Sequence, residues 1–229
     1  MIRSWDKLPV SMQNESVKPY YEHLRKKRIS LIVKRVFDII ASLLMLLLIS
    51  PILLILAILV KIDSQGPVFY RQQRVTQYGR VFRIFKFRTM VRNADTIGSH
   101  VTVDKDPRIT RLGARIRDIR FDELPQLLNV LIGDMTFVGV RPEATQYVDR
   151  YTDEMRATLL LPAGLTSHAS IAYKDEAALL AGIKEDVDAV YLSKILPAKM
   201  QYNLKDLRNF SIKNDARILW ETVLVVFRR

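Results

Sequence analysis

At 229 residues, with 49% apolar and 26% charged side chains, the chain has the material for one folded core with appendages and is too apolar for global disorder. It holds no cysteine and only three histidines, so disulfide frameworks, thiolate zinc sites, thiol nucleophiles and CxxC redox chemistry are excluded, and carboxylates must carry any acid, base or metal role. Its 36 lysines and arginines against 24 acids, a net charge of +12, call for a polyanionic partner: nucleic acid, a phosphorylated small molecule or an anionic membrane surface.

Residues 16–34 mix Tyr, Leu and Ile with a basic cluster and predict a helix, either lying along an anionic membrane surface or simply solvated. Residues 39–60 are apolar except for Ser42, Ser50 and Pro51. As one straight helix they rise about 33 Å, enough to cross a hydrocarbon core of about 30 Å. The polar stretch before them and the lack of a small-residue cleavage site after them argue against a signal peptide. Pro51 removes a backbone donor and clashes with the carbonyl four residues back, so a kink or break is expected there, with Ser50 satisfying the freed groups.

A kinked spanning helix is one reading. The flanking charge favours another. Arg25, Lys26, Lys27, Arg28, Lys34 and Arg35 precede the run, and Lys61, Arg71, Arg74, Arg80, Arg83, Lys86, Arg88 and Arg92 follow it. A re-entrant hairpin turning at Ser50-Pro51 keeps both clusters on the cytoplasmic side.

After Gly66-Pro67 the period changes. Val68-Phe69-Tyr70 and residues 81–88, separated by Tyr78-Gly79, predict a β-hairpin whose polar face is a row of Arg83, Lys86 or Arg88. Residues 107–119 and 122–132 have helical spacing, the second closing at Gly133. Pro142 opens a helix that runs to Pro162-Ala163-Gly164, and residues 173–208 are helical with breaks at Gly182 and Pro197. Residues 215–229 predict an apolar helix ending in Arg228-Arg229, suited to a membrane interface or to packing on the core. The fold class expected is α-rich α+β, with one small β-hairpin. Its parts are an interfacial extension over residues 1–33, a re-entrant membrane hairpin over 34–62 and a cytoplasmic domain over 63–229 that ends in the interfacial helix.

Asp122 and Glu123 open an apolar helix. Neighbours on a helix point about 100° apart, so the two carboxylates would hold different jobs, one a nucleophile and one a metal ligand. Dipole stabilisation of acids at a helix N-terminus is the bland alternative. Arg111, Arg115, Arg117, Arg120 and Arg141 surround the pair in sequence, a concentration of guanidiniums suited to phosphate oxygens. Asp104-Lys105-Asp106 has the Asp-x-Asp form of a metal site but reads better as a solvated loop, and His168 as a packing or hydrogen-bonding residue. Neither GxxxxGK[ST] nor GxGxxG is present.

Taken in order, the motifs are Lys34-Arg35-x-Phe37-Asp38, Ser50-Pro51 within the apolar run, Gly66-Pro67-Val68-Phe69, Arg74, Lys86-Phe87-Arg88-Thr89-Met90 and Asp106-x-Arg108-Ile109-Thr110-Arg111-x-Gly113. Asp122-Glu123-Leu124-Pro125-Gln126, Asn129-Val130-Leu131, Gly133-Asp134-Met135 and Val138-Gly139-x-Arg141-Pro142 follow. The series closely resembles the monotopic phosphoglycosyl transferases, bacterial sugar transferases, over roughly residues 33–225. The resemblance implies an enzyme of the bacterial inner membrane with its catalytic domain in the cytoplasm. Such an enzyme moves a phosphosugar from a UDP-sugar to undecaprenyl phosphate, releases UMP, uses Mg²⁺ and initiates a glycoconjugate.

The same resemblance makes Asp122 the nucleophile and Glu123 the magnesium ligand, and Lys86, Arg88, Arg117 and Arg141 the phosphate-binding residues. Anionic inner-leaflet lipid is an expected partner and nucleic acid is not; an oligomer is compatible with the sequence. Val140 stands where the family has the first proline of Pro-Arg-Pro, and residues 162–167 only approximate its Pro-Gly-Ile-Thr-Gly turn, so loop rigidity and sugar recognition are expected to differ. A non-catalytic cationic membrane scaffold, or a nucleic-acid-binding protein tethered to the membrane, would need the basic residues but not Asp122.

Overall fold

The computed structural model describes residues 2–91, 94, 106–176, 179 and 187–227. Asp104, Lys105, Arg92, Gly182 and Arg228-Arg229 lie outside them.

Helix α1, Lys18–Lys26, carries Pro19 in its first turn, where the missing N–H removes no helical bond. It stops at Lys27, and α2 begins at Arg28, so the helix expected over 16–34 is two helices. The apolar face of this extension is occupied by protein. Tyr20, Tyr21 and Leu24, with Leu8, Met12 and Val17 before them, are buried in one cluster with Leu160, Tyr191, Leu196 and Met200. Apolar burial in the core is what lipid contact was expected to supply, so the extension is part of the domain.

Helix α2, Arg28–Asp63, is a single element of 36 residues with Pro51 inside it. The two arms predicted from Ser50-Pro51 are therefore continuous in secondary structure. The carbonyl that Pro51 deprives of its donor is that of Leu47, and the Ser50 hydroxyl donates to it at 2.8 Å. Burial recurs every three or four residues along α2, at Lys34, Asp38, Ser42, Leu56 and Val60, with Ala41, Leu46, Ile49, Leu53 and Ala57 half-buried between. The other faces are bare, Leu48 being 81% exposed. Among the described residues this is the one helix long and apolar enough to cross a membrane.

Strands β1, Phe69–Val75, and β2, Val81–Phe87, pair antiparallel from Phe69↔Phe87 to Val75↔Val81, as the alternation predicts. The first strand is longer than expected. The turn passes through Tyr78 and Gly79, both at positive φ. Register puts Tyr70, Gln72, Arg74 and Lys86 on one face and Arg71, Gln73 and Arg83 on the other, so the predicted polar row is divided between faces.

Helix α3, Arg111–Asp118, is capped by Thr110, whose hydroxyl accepts from Gly113 N at 2.9 Å. Helix α4, Gln126–Ile132, ends at Gly133 with φ +95°, as predicted. A second sheet was not expected: β3, Met135–Val138, and β4, Ala163–Thr166, form a parallel pair. All four residues of β3 are buried, which erases the alternation that reveals a strand.

The helix expected from Pro142 shrinks to one turn, α5, Thr145–Val148, and a 3₁₀ segment, Met155–Leu160. The Thr152 hydroxyl accepts from Met155 N at 3.3 Å, a local bond that competes with helix continuation. Two short helices, α6, His168–Ala172, and α7, Val187–Val190, precede a π turn, Tyr191–Ile195. The chain closes with α8, Leu196–Arg208, with Pro197 in its first turn, and α9, Ile212–Phe227. Helix α9 buries Ile218 against the β3–β4 core while Trp220 stays 64% exposed.

Candidate active site

Asp122 and Glu123 lie in a 3₁₀ turn, Phe121–Glu123, entered through Arg120 at φ 59° and followed by Pro125 at the start of α4. Strand β2 brings Lys86 to Glu123: Nζ donates to Oε1 at 2.9 Å. The loop after β3 brings Arg141, whose Nη2 donates to the same oxygen at 2.5 Å and Nη1 to Oε2 at 3.5 Å. Asn129 sets the approach of β2 to α4. Fully buried, it accepts from Phe85 N at 2.8 Å and donates to Arg83 O at 3.1 Å, which fixes the strand on both sides of Ile84 and next to Lys86. Sequence reasoning assigned Asn129 no role; the available signal was an amide inside the apolar run Leu127-Leu128-Asn129-Val130-Leu131.

The two carboxylates are electrostatically unequal. Burial alone would raise the Glu123 carboxyl, but Arg141 and Lys86 hold it well below the usual carboxylate range. Burial pushes the Lys86 ammonium down, with Glu123 opposing, while Glu123 pushes the Arg141 guanidinium up. Asp122 goes the other way: burial and the neighbouring Glu123 charge raise it above the usual aspartate value, against the pull of Lys86, Arg117 and Arg120. Asp122 is buried as a residue, and its carboxylate makes no hydrogen bond among the described residues. One acid is thus held as a fixed anion between two cations, and the other is left with its oxygens unengaged.

Lys86 and Arg141 are thus brought to Glu123, and Arg117, half-buried, acts on Asp122 through its charge. Arg88 does not join them. Its guanidinium donates to Val60 O at 3.2 Å, Ser64 O at 2.5 Å, Ser64 Oγ at 3.2 Å and Pro67 O, closing the C-terminal end of α2. Gly66, at φ +129°, makes this possible, since a Cβ there would lie 2.5 Å from Arg88 Nη1. Strand alternation puts residues 86 and 88 on one face, but β2 ends at Phe87, and the face argument ends with it.

Asp106 is buried and takes three bonds from the Arg108 side chain and one from its backbone, so its oxygens serve that turn. His168 is a hydrogen-bonding residue, as read from sequence, with Nδ1 2.5 Å from Asp206 Oδ1 and Nε2 3.4 Å from Glu221 Oε2. Ser50 and Pro51 stay within α2, away from the acid pair in sequence and secondary structure. No group of three or more acids or histidines suited to a metal occurs among the described residues. Mg²⁺ is ordinarily held by one or two carboxylates with substrate phosphates and water completing the shell; Glu123 Oε2, whose one contact among the described residues is Arg141 Nη1 at 3.5 Å, is the oxygen that could take such an ion.

Backbone bonds hold the loop on both sides of Val140. Gly139 N donates to Thr166 O at 2.9 Å and Gly164 N to Val140 O at 2.8 Å, extending the β3–β4 ladder into the arginine loop. A Cβ on Gly164 would sit 2.2 Å from Gly139 N, so this approach requires glycine. The motif Lys34-Arg35-x-Phe37-Asp38 also gains a role. Lys34 donates to Val138 O and Asp215, Arg35 to Val130 O and Leu131 O, and Asp38 accepts from Thr136 Oγ1 and Phe137 N. These bonds tie α2 to the ends of α4 and β3, the two elements that flank the acid pair and Arg141.

A family model described as bacterial sugar transferase matches residues 29–229. The UDP-N-acetylgalactosamine-undecaprenyl-phosphate N-acetylgalactosaminephosphotransferase of Aeromonas hydrophila is 36% identical over 199 residues, 86% of this chain and 42% of that protein. The exopolysaccharide production protein PSS of Rhizobium leguminosarum bv. phaseoli is 38% identical over 195 residues, 85% of this chain and 94% of that protein. The UDP-glucose:undecaprenyl-phosphate glucose-1-phosphate transferase of Escherichia coli (strain K12) is 34% identical over 200 residues, 86% of this chain and 40% of that protein. The chain therefore spans less than half the length of the first and third of these relatives and nearly all of the second.

Proposed function

The chain belongs to the bacterial sugar transferase family, and from that membership we propose that it transfers a sugar 1-phosphate from a UDP-sugar to undecaprenyl phosphate, releasing UMP and initiating a polysaccharide or other glycoconjugate. The observation that carries the reading is the acid pair itself, a buried, unbonded Asp122 beside a Glu123 held by Lys86 and Arg141. A purely cationic scaffold is not favoured, because it has no use for this arrangement.

The UDP-sugar diphosphate is dianionic, and a carboxylate approaching it at 4 Å meets repulsion of about 4 kcal/mol per charge pair at an effective dielectric of 20. Lys86, Arg117 and Arg141 offset that repulsion. Asp122 Oδ attacks the phosphorus that bears the sugar, and the bond from that phosphorus to the bridging oxygen breaks, with UMP leaving on the bridging oxygen. A polyprenyl phosphate oxygen then attacks the same phosphorus and frees the Asp122 carboxylate. Glu123 would hold Mg²⁺, which would screen phosphate charge and polarise the breaking bond while Asp122 stays free to attack. Splitting the transfer in this way keeps the two anionic substrates apart.

The membrane arrangement is part of the same reading. Helix α2 packs one face on the domain from Lys34 to Val60, which supports a helix that dips into the bilayer and returns, with the domain and both basic clusters on the cytoplasmic side of the inner membrane among anionic lipids. Purified chain incubated with undecaprenyl phosphate, Mg²⁺ and a panel including UDP-glucose, UDP-galactose and UDP-N-acetylgalactosamine is expected to form UMP with at least one donor. Folded chain that forms none across a broad panel contradicts the reading.

A further inference from the structure

Arg74 plays no part in the site described above, although the fold presents it there. It stands on the face of β1 that also holds Tyr70 and Gln72, and register puts Lys86 of β2 on that same face, opposite Tyr70. The next residue, Val75, donates its backbone N–H to Glu143 O at 3.0 Å, which stitches the end of β1 to the loop that carries Arg141. Two guanidiniums from different parts of the chain are thereby brought together, close enough that each feels the other's charge.

Arg74 is half-buried, yet none of its guanidinium N–H donors meets an acceptor among the described residues. An arginine in that position has lost part of its hydration without gaining hydrogen bonds, a state that an anionic ligand relieves. Glu143, its nearest potential counter-ion, is engaged elsewhere. Glu143 Oε1 accepts from Tyr191 OH at 2.6 Å and from Lys199 Nζ at 3.2 Å, and Lys199 is itself buried and paired with Glu176 at 2.9 Å. Arg74 therefore shares the Glu143 charge with Lys199 and makes no hydrogen bond to it, while the Arg141 charge beside it opposes its own.

We propose that Arg74 is a substrate-binding residue that grips a phosphate oxygen of the UDP-sugar diphosphate beside Arg141. The identity of that ligand rests on the function proposed above; the anion site itself rests on the geometry of Arg74. Arg74 takes no part in bond making, so its loss is read in binding rather than in turnover.

The test uses UDP as the probe, titrated calorimetrically into the full chain in lipid nanodiscs, together with UDP-sugar kinetics. Arg74→Gln is expected to weaken UDP binding and raise KM for the UDP-sugar by about 10- to 100-fold, with kcat at saturation close to wild type; Arg74→Lys falls between because one ammonium replaces a two-pronged donor. UDP affinity and KM unchanged in a folded Arg74→Gln chain overturn the proposal. If glutamine prevents folding, Arg74→Lys decides alone: several-fold weaker UDP binding supports the site and unchanged binding refutes it. A wild-type chain that makes no UMP but binds UDP through Arg74 defeats the proposed reaction and leaves the anion site standing. Wild-type UMP formation at an unaltered KM in Arg74→Gln does the reverse.

Discussion

The two adjacent acids respond oppositely to protonation, and that difference is measurable. Folded Asp122 holds its proton more tightly than an unfolded chain would, because burial and the Glu123 charge raise it. Ionising it therefore removes stability as pH rises through its folded pKa. Asp122→Asn, with no charge to bury, is expected to melt no lower than wild type at neutral pH, with any gain vanishing in acid, while turnover falls by several orders of magnitude. As a nucleophile Asp122 must be ionised, so wild-type rate should decline in acid through that raised pKa. Glu123→Gln removes one of the two raising influences and frees Lys86 and Arg141 to act on Asp122, so the acid limb of its residual activity moves to lower pH. A limb that moves upward, or a turnover that survives Asp122→Asn, contradicts the assignment. Arg88 behaves as a structural residue: Arg88→Met is expected to cost about 2–3 kcal/mol in a reversible unfolding measurement by leaving the carbonyls at the end of α2 unpaired, with UDP affinity unchanged in the folded fraction.

Helix α2 explains how membrane and site are joined. Lys34, Arg35 and Asp38 fasten its N-terminal part to α4 and β3, and Arg88 fastens its end to β2, so both ends are fixed to elements that carry site residues. With no native cysteine, single-cysteine labelling reads topology directly. Val10→Cys and Arg150→Cys, both at exposed positions, are expected to react only from the cytoplasmic side; labelling of position 10 from outside with position 150 inside establishes a spanning helix instead. The hairpin and the Gly133 stop were legible because alternation and a left-handed glycine are local signals. Strand β3 was not, since a parallel strand buried on both faces resembles any short apolar run. Helix α1 has an apolar face that suits lipid or core equally well, and its true partners, on α8 and the 3₁₀ segment Met155–Leu160, lie far along the chain.

At the scale of the molecule, a net charge of +12 suits the two anionic substrates of the proposed reaction. Asp122, Glu123, Lys86 and Arg141 were legible as a site because residue type and the ordered motifs name them. The bonds of Arg88 to the end of α2, and the places of Asn129 and Arg74, were not legible, because hydrogen-bond partners across the fold decide what a buried polar side chain does, and no local pattern records them. The central claim is that the whole assembly performs transfer in two steps through Asp122. Its most direct test is to mix the chain with a competent UDP-sugar and no lipid acceptor, then measure UMP and the mass of the protein. Two-step transfer predicts a burst approaching one UMP per chain and a phosphosugar adduct on Asp122 that discharges when undecaprenyl phosphate is added. UMP that appears only with the lipid present, from a chain whose Asp122 stays unmodified, would show direct transfer and contradict it.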